Sequence, residues 1–170
     1  MKADPNTSGL YNGDESKVPI YGRLYTWFAI MDPRNVCPAG WHVPADTEWT
    51  ILADYLINNG YSYPDRRDAI AKSMAAKSFW NTSSFESTVG YNQESNNSTG
   101  FTGLPAGCRS TIGQFEYIGI RGGWWTTTDM GPTEYDSYFA WNRNLMSDAN
   151  NVITYGTVKQ YGYAVRCLKD

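Results

Sequence analysis

The sequence predicts an α+β domain: two helices packed on a small twisted antiparallel sheet, with long loops between them. Three observations carry this reading. Residues 46–57, DTEWTILADYLI, place Trp49, Leu52, Ala53 and Leu56 at the i, i+3, i+4, i+7 spacing of one apolar helix face. A second, Ala-rich stretch over 66–77 puts Ala69, Ile70, Ser73, Met74 and Lys77 on one side of a weaker helix. From Trp124 onward, β-forming runs alternate with turn residues and read as an antiparallel meander.

The elements follow in order. Residues 1–18 read as a flexible polar leader or linker, with turn formers at Asp4-Pro5 and Asn12-Gly13, and the domain runs over 19–170. Residues 19–30, PIYGRLYTWFAI, are expected as one or two short strands, from the β-forming bulk of Tyr21, Leu24, Trp27, Phe28 and Ile30. A turn segment from Asp32-Pro33 to Gly40 leads into an extended piece, Trp41-His42-Val43, which Pro44 ends. Asp46 is the expected N-cap of the first helix; Glu48 sits in its first turn, where the helix dipole favours an acid, and Asn58-Asn59-Gly60 stops it. Asp65 is the expected cap of the second helix. Residues 79–97 are rich in Ser, Thr and Asn and read as loop. Short strands are expected over 107–110 and 115–120, flanking a turn at Gly113. Arg121-Gly122-Gly123 is a tight bend before a strand over 124–128. The last three strands are 135–145, 152–157 and 160–168. The first of these carries Ser137, Phe139, Trp141, Arg143 and Leu145 on one side and Tyr138 and Ala140 on the other.

Composition excludes several functions. A chain of 170 residues is long enough for one domain with a real core. Its net charge is -3 and only 18% of residues are charged, so it lacks the basic patch of a nucleic-acid binder and the polybasic tract of a peripheral membrane binder. No apolar run is long enough for direct membrane insertion. The opening MKADPNTSGLYNGDESK has no hydrophobic region and is not a signal peptide; a chain whose export signal had been removed reads the same way. His42 is the single histidine, whereas zinc sites usually need several His or Cys ligands, so no metal and no cofactor are expected. Asp129, Glu134, Asp136 and Asp148 lack EF-hand spacing and read as solvated acids. Of the three cysteines, Cys37, Cys108 and Cys167, any two can pair or all can stay reduced; at least one thiol is unpaired within the monomer in every case.

The final third, GWWTTTDMGPTEYDSYFAWNRNLMSDANNVITYGTVKQYGY, combines large amphipathic rings with short hydrogen-bonding side chains. Adaptable recognition surfaces use that mixture. The expected ligand-binding residues are Tyr135, Asp136, Tyr138, Trp141, Arg143, Asn144, Asp148, Asn150, Asn151 and Tyr155. Strand alternation sends Trp124 and Trp125 to opposite sides, so at least one is core, and Trp125 is the choice. Trp27, Trp41, Trp49 and His42 are read as structural. Arg166 is expected to pair with an acid or to cap carbonyls.

Three motifs occur together. They are Cys37-Pro38-Ala39-Gly40-Trp41-His42-Val43-Pro44 followed by Glu48-Trp49, Gly123-Trp124-Trp125-Thr126-Thr127-Thr128, and Tyr163-Ala164-Val165-Arg166-Cys167. With Gly100-Phe101-Thr102-Gly103-Leu104-Pro105-Ala106-Gly107 between them, they resemble the Fibrobacter succinogenes major paralogous domain over about residues 20–170. That family is found in secreted and surface proteins of Bacteroidetes and related bacteria. Ala45 departs from it, standing where a Thr or Ser helix cap is usual.

The resemblance implies a C-type lectin-like fold, an extracellular or cell-surface location and a Cys37–Cys167 disulfide. It also implies a non-catalytic binding or adhesion role toward a surface protein or glycan. Calcium-dependent lectins carry a Glu-Pro-Asn or Gln-Pro-Asp loop and a Trp-Asn-Asp strand; here Met130-Gly131-Pro132 and Trp141-Asn142-Arg143 stand instead. Similarity to the formylglycine-generating enzymes raises an enzymatic alternative, but those use a cysteine pair and only Cys108 is spare. A structural subunit of a surface assembly is the third reading. The Asn- and Tyr-rich outward positions also resemble the hypervariable surface of proteins diversified by retroelements.

Overall fold

The computed structural model describes residues 14–170 and the backbone of Ser8–Gly9. The turns expected at Asp4-Pro5 and Asn12-Gly13 lie outside the described residues. Within them the fold is α+β with antiparallel sheets. The elements are β1 (Ser8–Gly9), α1 (Val18–Tyr21), β2 (Leu24–Tyr25), α2 (Trp27–Ile30), β3 (Trp41–His42), α3 (Asp46–Asn58) and α4 (Ala71–Met74), then β4 (Cys108–Arg109), β5 (Phe115–Glu116), β6 (Arg121–Asp129), β7 (Phe139–Met146), β8 (Ile153–Val158) and β9 (Leu168–Lys169). Strands β6, β7 and β8 form the main sheet in that order; β1-β2, β3-β9 and β4-β5 are two-stranded pairs.

The main sheet is covered on both faces, and its register shows how. Directly paired residues share a face. Trp124 pairs with Arg143 and Gly122 with Leu145, while Trp125 pairs with Asn142 and Gly123 with Asn144. On the first face, Trp124 and Leu145 pack with Trp49 and Leu56 of α3, Ile70, Met74, Trp80 and Val89. On the second, Trp125 and Ala140 pack with Ile30, Val43, Cys108 and Tyr163. Both tryptophans of the Gly-Gly-Trp-Trp run are therefore core, each in a different half, and Trp125 is fully buried as expected. Gly123 is required by this arrangement, since a Cβ there would meet Tyr163 Cδ1 at 2.6 Å and Asn144 Oδ1 at 2.8 Å. The Tyr163 ring lies edge-on to Trp125, at 5.0 Å between centroids.

Helix α3 is the element the sequence located best, and its cap differs from expectation. Ala45, not Asp46, is the N-cap. Ala45 has no side-chain oxygen, so only half of a capping box forms: Glu48 Oε2 accepts from the Ala45 N–H at 2.8 Å. Asp46 is the first helical residue.

Three other expectations are corrected. The 19–30 segment is not strand throughout; α1 and α2 flank a two-residue β2, and Thr26 caps α2 by accepting from the Ala29 N–H. The second helix shrinks to the single turn α4. Its flanking backbone groups bond elsewhere, Ala71 N–H to the Asn150 carbonyl and Ala76 N–H to the Gly103 carbonyl, so tertiary partners replace the helical ladder. The 160–168 strand is also absent. Gly162, Tyr163 and Ala164 make isolated bridges to Arg109, Tyr25 and Trp124 in turn, and only Leu168–Lys169 pairs as a strand, with β3. Ahead of α1, Ser8–Gly9 pairs with Leu24–Tyr25, and Glu15–Lys17 forms a 3₁₀ turn capped by Asp14.

Cys37 and Cys167 form a disulfide with Cα atoms 5.8 Å apart, closing a sequence separation of 130 residues. In the chain-entropy account, a closed loop of that size restricts the unfolded chain by about 5 kcal/mol. Replacing both cysteines by serine is expected to lower unfolding free energy by about 2–5 kcal/mol. Denaturant titration of oxidised wild type against the double variant measures this, and an unchanged midpoint contradicts it.

Candidate functional site

The residues expected to form one recognition surface are dispersed by the fold. Strand β7 is eight residues long, which separates its ends by about 24 Å. Tyr135, Asp136 and Tyr138 precede it, whereas Asp148, Asn150 and Asn151 lie in the turn beyond its other end. Asp148 and Asn150 line a groove of about 430 Å³ with Tyr63, Arg66, Phe85 and Glu86. Asn150 also donates to Ser87 Oγ at 3.2 Å. Tyr155 pairs with Asn142, on the face opposite Trp141. It is exposed and lies beside the Arg121 guanidinium, 4.9 Å from its ring centroid.

Arg143 and Asn144 leave the candidate surface altogether. Asn144 is fully buried; its Oδ1 accepts from Arg121 Nε at 2.8 Å and its Nδ2 donates to Asn142 Oδ1 at 2.6 Å. Arg143 forks onto the Asp46 carboxylate with two bonds of 2.7 Å and also reaches Thr50 Oγ1 at 2.8 Å. Sequence alternation placed both residues on the strand correctly. It could not show that β7 is the central strand, with its middle from Asn142 to Leu145 buried on both sides.

A smaller aromatic cluster remains at the start of β7. Tyr135 is 71% exposed and Tyr138 is 56% exposed. The Tyr135 ring lies 5.0 Å from that of Phe139, tilted by 36°. Phe139 and the half-buried Trp141 sit two residues apart on one strand face. Trp141 pairs with Gly156, and the Met130 thioether occupies the space a Cβ would take there, with Sδ at 2.0 Å from that position. Met130 and Phe139 belong to the cluster but were not among the expected binding residues. The i, i+2 spacing of Phe139 and Trp141 was the signal for Phe139; Met130 lies in the bend just after β6 and gave none.

The loop carrying Tyr135 and Tyr138 is fixed from below. Asp136 N–H bonds to Thr133 Oγ1, whose hydroxyl returns to Asp136 Oδ2 at 2.5 Å, so Asp136 serves the turn. Lys159 is buried; its Nζ donates to the Ser137 carbonyl at 2.7 Å and sits 4.3 Å over the Trp27 ring. Its own N–H bonds to the Tyr138 carbonyl at 2.9 Å. Lys159, like Met130 and Phe139, was not among the expected binding residues. The two tyrosines are thus displayed on an anchored loop, and neither phenol oxygen has a hydrogen-bond partner among the described residues.

Other titratable groups are committed to structure. His42, read as structural, bridges two acids: Nδ1 to Asp170 Oδ1 at 2.6 Å and Nε2 to Glu48 Oε1 at 3.0 Å. Cys108 is buried, and that burial pushes its thiol up from the usual range. Tyr163 accepts from Arg121 Nη1 at 3.0 Å, and burial pushes its phenol up to about 12. Lys72 is buried without a carboxylate among the described residues; it donates to Asn96 Oδ1 at 2.9 Å and to loop carbonyls, and burial lowers its pKa. Among the described residues no group of three or more His, Cys, Asp or Glu side chains is arranged to hold a metal ion, and no helix is long and apolar enough to cross a membrane.

The hydrogen bonds of His42 to Asp170 and then to Glu48 raise its pKa above the ordinary 6.5. The stabilisation is fully present below the unfolded-state value and is lost as pH rises through the folded value. NMR titration of the imidazole is expected to give a midpoint above 6.5, with melting temperature falling across the same window. His42→Gln removes that pH dependence. A wild-type midpoint at or below the ordinary value contradicts the assignment.

The family model described as the Fibrobacter succinogenes major domain matches residues 1–169, and the chain belongs to that family. Comparison with curated proteins and with solved structures found no match.

Proposed function

We propose that this member of the family is a non-catalytic ligand-binding or adhesion module. It recognises a protein or glycan on a cell surface through the aromatic cluster at the start of β7, and it works outside the cell. One observation carries the reading: Tyr135 and Tyr138 stand 71% and 56% exposed on a loop that Lys159 and Thr133 hold in place. Anchored aromatic side chains present contact area at low ordering cost, and their free hydroxyls supply direction. Phe139, Trp141 and Met130 extend the apolar area beside them. Arg143 and Asn144 are not part of this site, and Tyr155 belongs to the other face of the sheet.

The architecture we propose behind it is C-type lectin-like. The Cys37–Cys167 staple, the single long helix against a three-stranded sheet and the long irregular connections support that reading. Recognition here uses direct aromatic and hydrogen-bond contact, in keeping with the absence of a clustered acid site among the described residues. Retroelement diversification of the exposed positions is part of the same proposal, and a reverse transcriptase gene with a template repeat next to this gene tests it.

An array of glycans and cell-surface proteins, run with calcium and with chelator, tests the function. Wild type is expected to bind at least one member equally in both conditions. Tyr135→Ala with Tyr138→Ala is expected to weaken that binding by about thirtyfold or more, since a central aromatic anchor contributes about 2 kcal/mol. Its melting temperature should match wild type, as both side chains are exposed. Binding unchanged in the double variant, or binding abolished by chelator, contradicts the proposal.

A further inference from the structure

A second concave site lies on a different part of the molecule, and its chemistry is specific. Trp49 and Leu52 of α3, Phe101 and Leu168 form the apolar walls of a pocket of about 230 Å³, with Glu48 and Arg166 also lining it. The volume is below the roughly 300–1,000 Å³ of drug-sized sites, so its occupant is small. The two charged residues differ in what they have left to offer. Both Glu48 oxygens are engaged, Oε2 by the Ala45 N–H and Oε1 by His42. The Arg166 guanidinium lies 4.4 Å over the Phe101 ring and gives one Nη2 bond of 2.8 Å to the Phe101 carbonyl. Among the described residues no carboxylate comes within ion-pair distance of it. Arg166 therefore caps a carbonyl, as the sequence allowed, but does not pair with an acid.

An apolar pocket with the exposed Arg166 guanidinium at its rim, free of any ion pair among the described residues, is complementary to a ligand with an apolar body and one negative end. The geometry points to a binding site for a small free monocarboxylate with an aromatic or short aliphatic body. Its body packs against Trp49, Leu52 and Phe101, and its carboxylate meets the remaining N–H donors of Arg166. The site shares no residue with the cluster at Tyr135 and Tyr138, and it stands or falls independently of the function proposed for that cluster.

The test uses sodium 3-phenylpropionate, with 3-phenylpropanol and 3-phenylpropylamine as the neutral and cationic counterparts of one apolar body. Titration calorimetry gives affinities, and amide NMR shifts locate the site. The acid is expected to bind about tenfold or more tighter than the alcohol, the margin of one charge-assisted hydrogen bond. The amine should bind more weakly than either. Shifts should concentrate at Leu52, Phe101 and Leu168. Arg166→Gln should bring the acid down to the alcohol's affinity and leave the alcohol unchanged; Arg166→Lys should restore part of the difference. The wild-type comparison of the three probes needs no variant, so a misfolded variant leaves the test intact. Equal affinity of acid and alcohol, no millimolar binding of the acid, or shifts located elsewhere overturns the proposal.

Discussion

The ion pair between Arg143 and Asp46 decides which parts of the aromatic final third are framework and which are display. It joins the middle of the central strand to the first turn of the one long helix, with Arg143 side-chain exposure at 10% and Asp46 at 24%. Two parallel N–H···O bonds fix the distance and the rotation of α3 against the sheet. With α3 set, Trp49 meets Trp124 and Phe101, and the first half-core closes. Removing one partner would strand the other in a largely dry site, at a cost on the order of 3 kcal/mol. The charge balance therefore maintains the packing of α3, and the Arg143 guanidinium is engaged by Asp46 and Thr50.

The second half-core depends on a different constraint, the approach of Tyr163 to Gly123. With no Cβ at Gly123, the Tyr163 ring reaches Trp125, and its hydroxyl accepts from Arg121. The closing segment is held there by single bridges to three neighbours and by the Cys37–Cys167 bond. Such a segment owes its path to tertiary contacts, not to a ladder of its own.

Much of this was legible in the sequence where local signals agree with the global fold. The apolar stripe of α3, the alternation at Trp124-Trp125 and the extended runs of β7 and β8 all survive in the structure. The losses have one cause. Residues 66–77 have helical composition, yet the backbone of Ala71 and Ala76 is claimed by Asn150 and Gly103. The tyrosine-rich 160–168 segment has strand composition, yet its partners are scattered. The candidate site fared similarly. Tyr135, Tyr138 and Tyr155 are exposed as expected, but the fold places Tyr155 across the sheet and buries Arg143 and Asn144. Alternation assigns relative faces along a strand. It carries no information on whether either face meets water. Lys159 and Met130 shape the cluster from separate elements, and nothing local announces them.

The central claim is that the final third divides into a buried framework and an anchored display. Hydroxyl-radical footprinting of the native protein, read residue by residue by mass spectrometry, tests it most directly. Tyr135 and Tyr138 should oxidise fastest, Trp141 at an intermediate rate, and Trp125 and Tyr163 should be protected. Rapid oxidation of Trp125 or Tyr163, or protection of Tyr135 and Tyr138, would contradict the account.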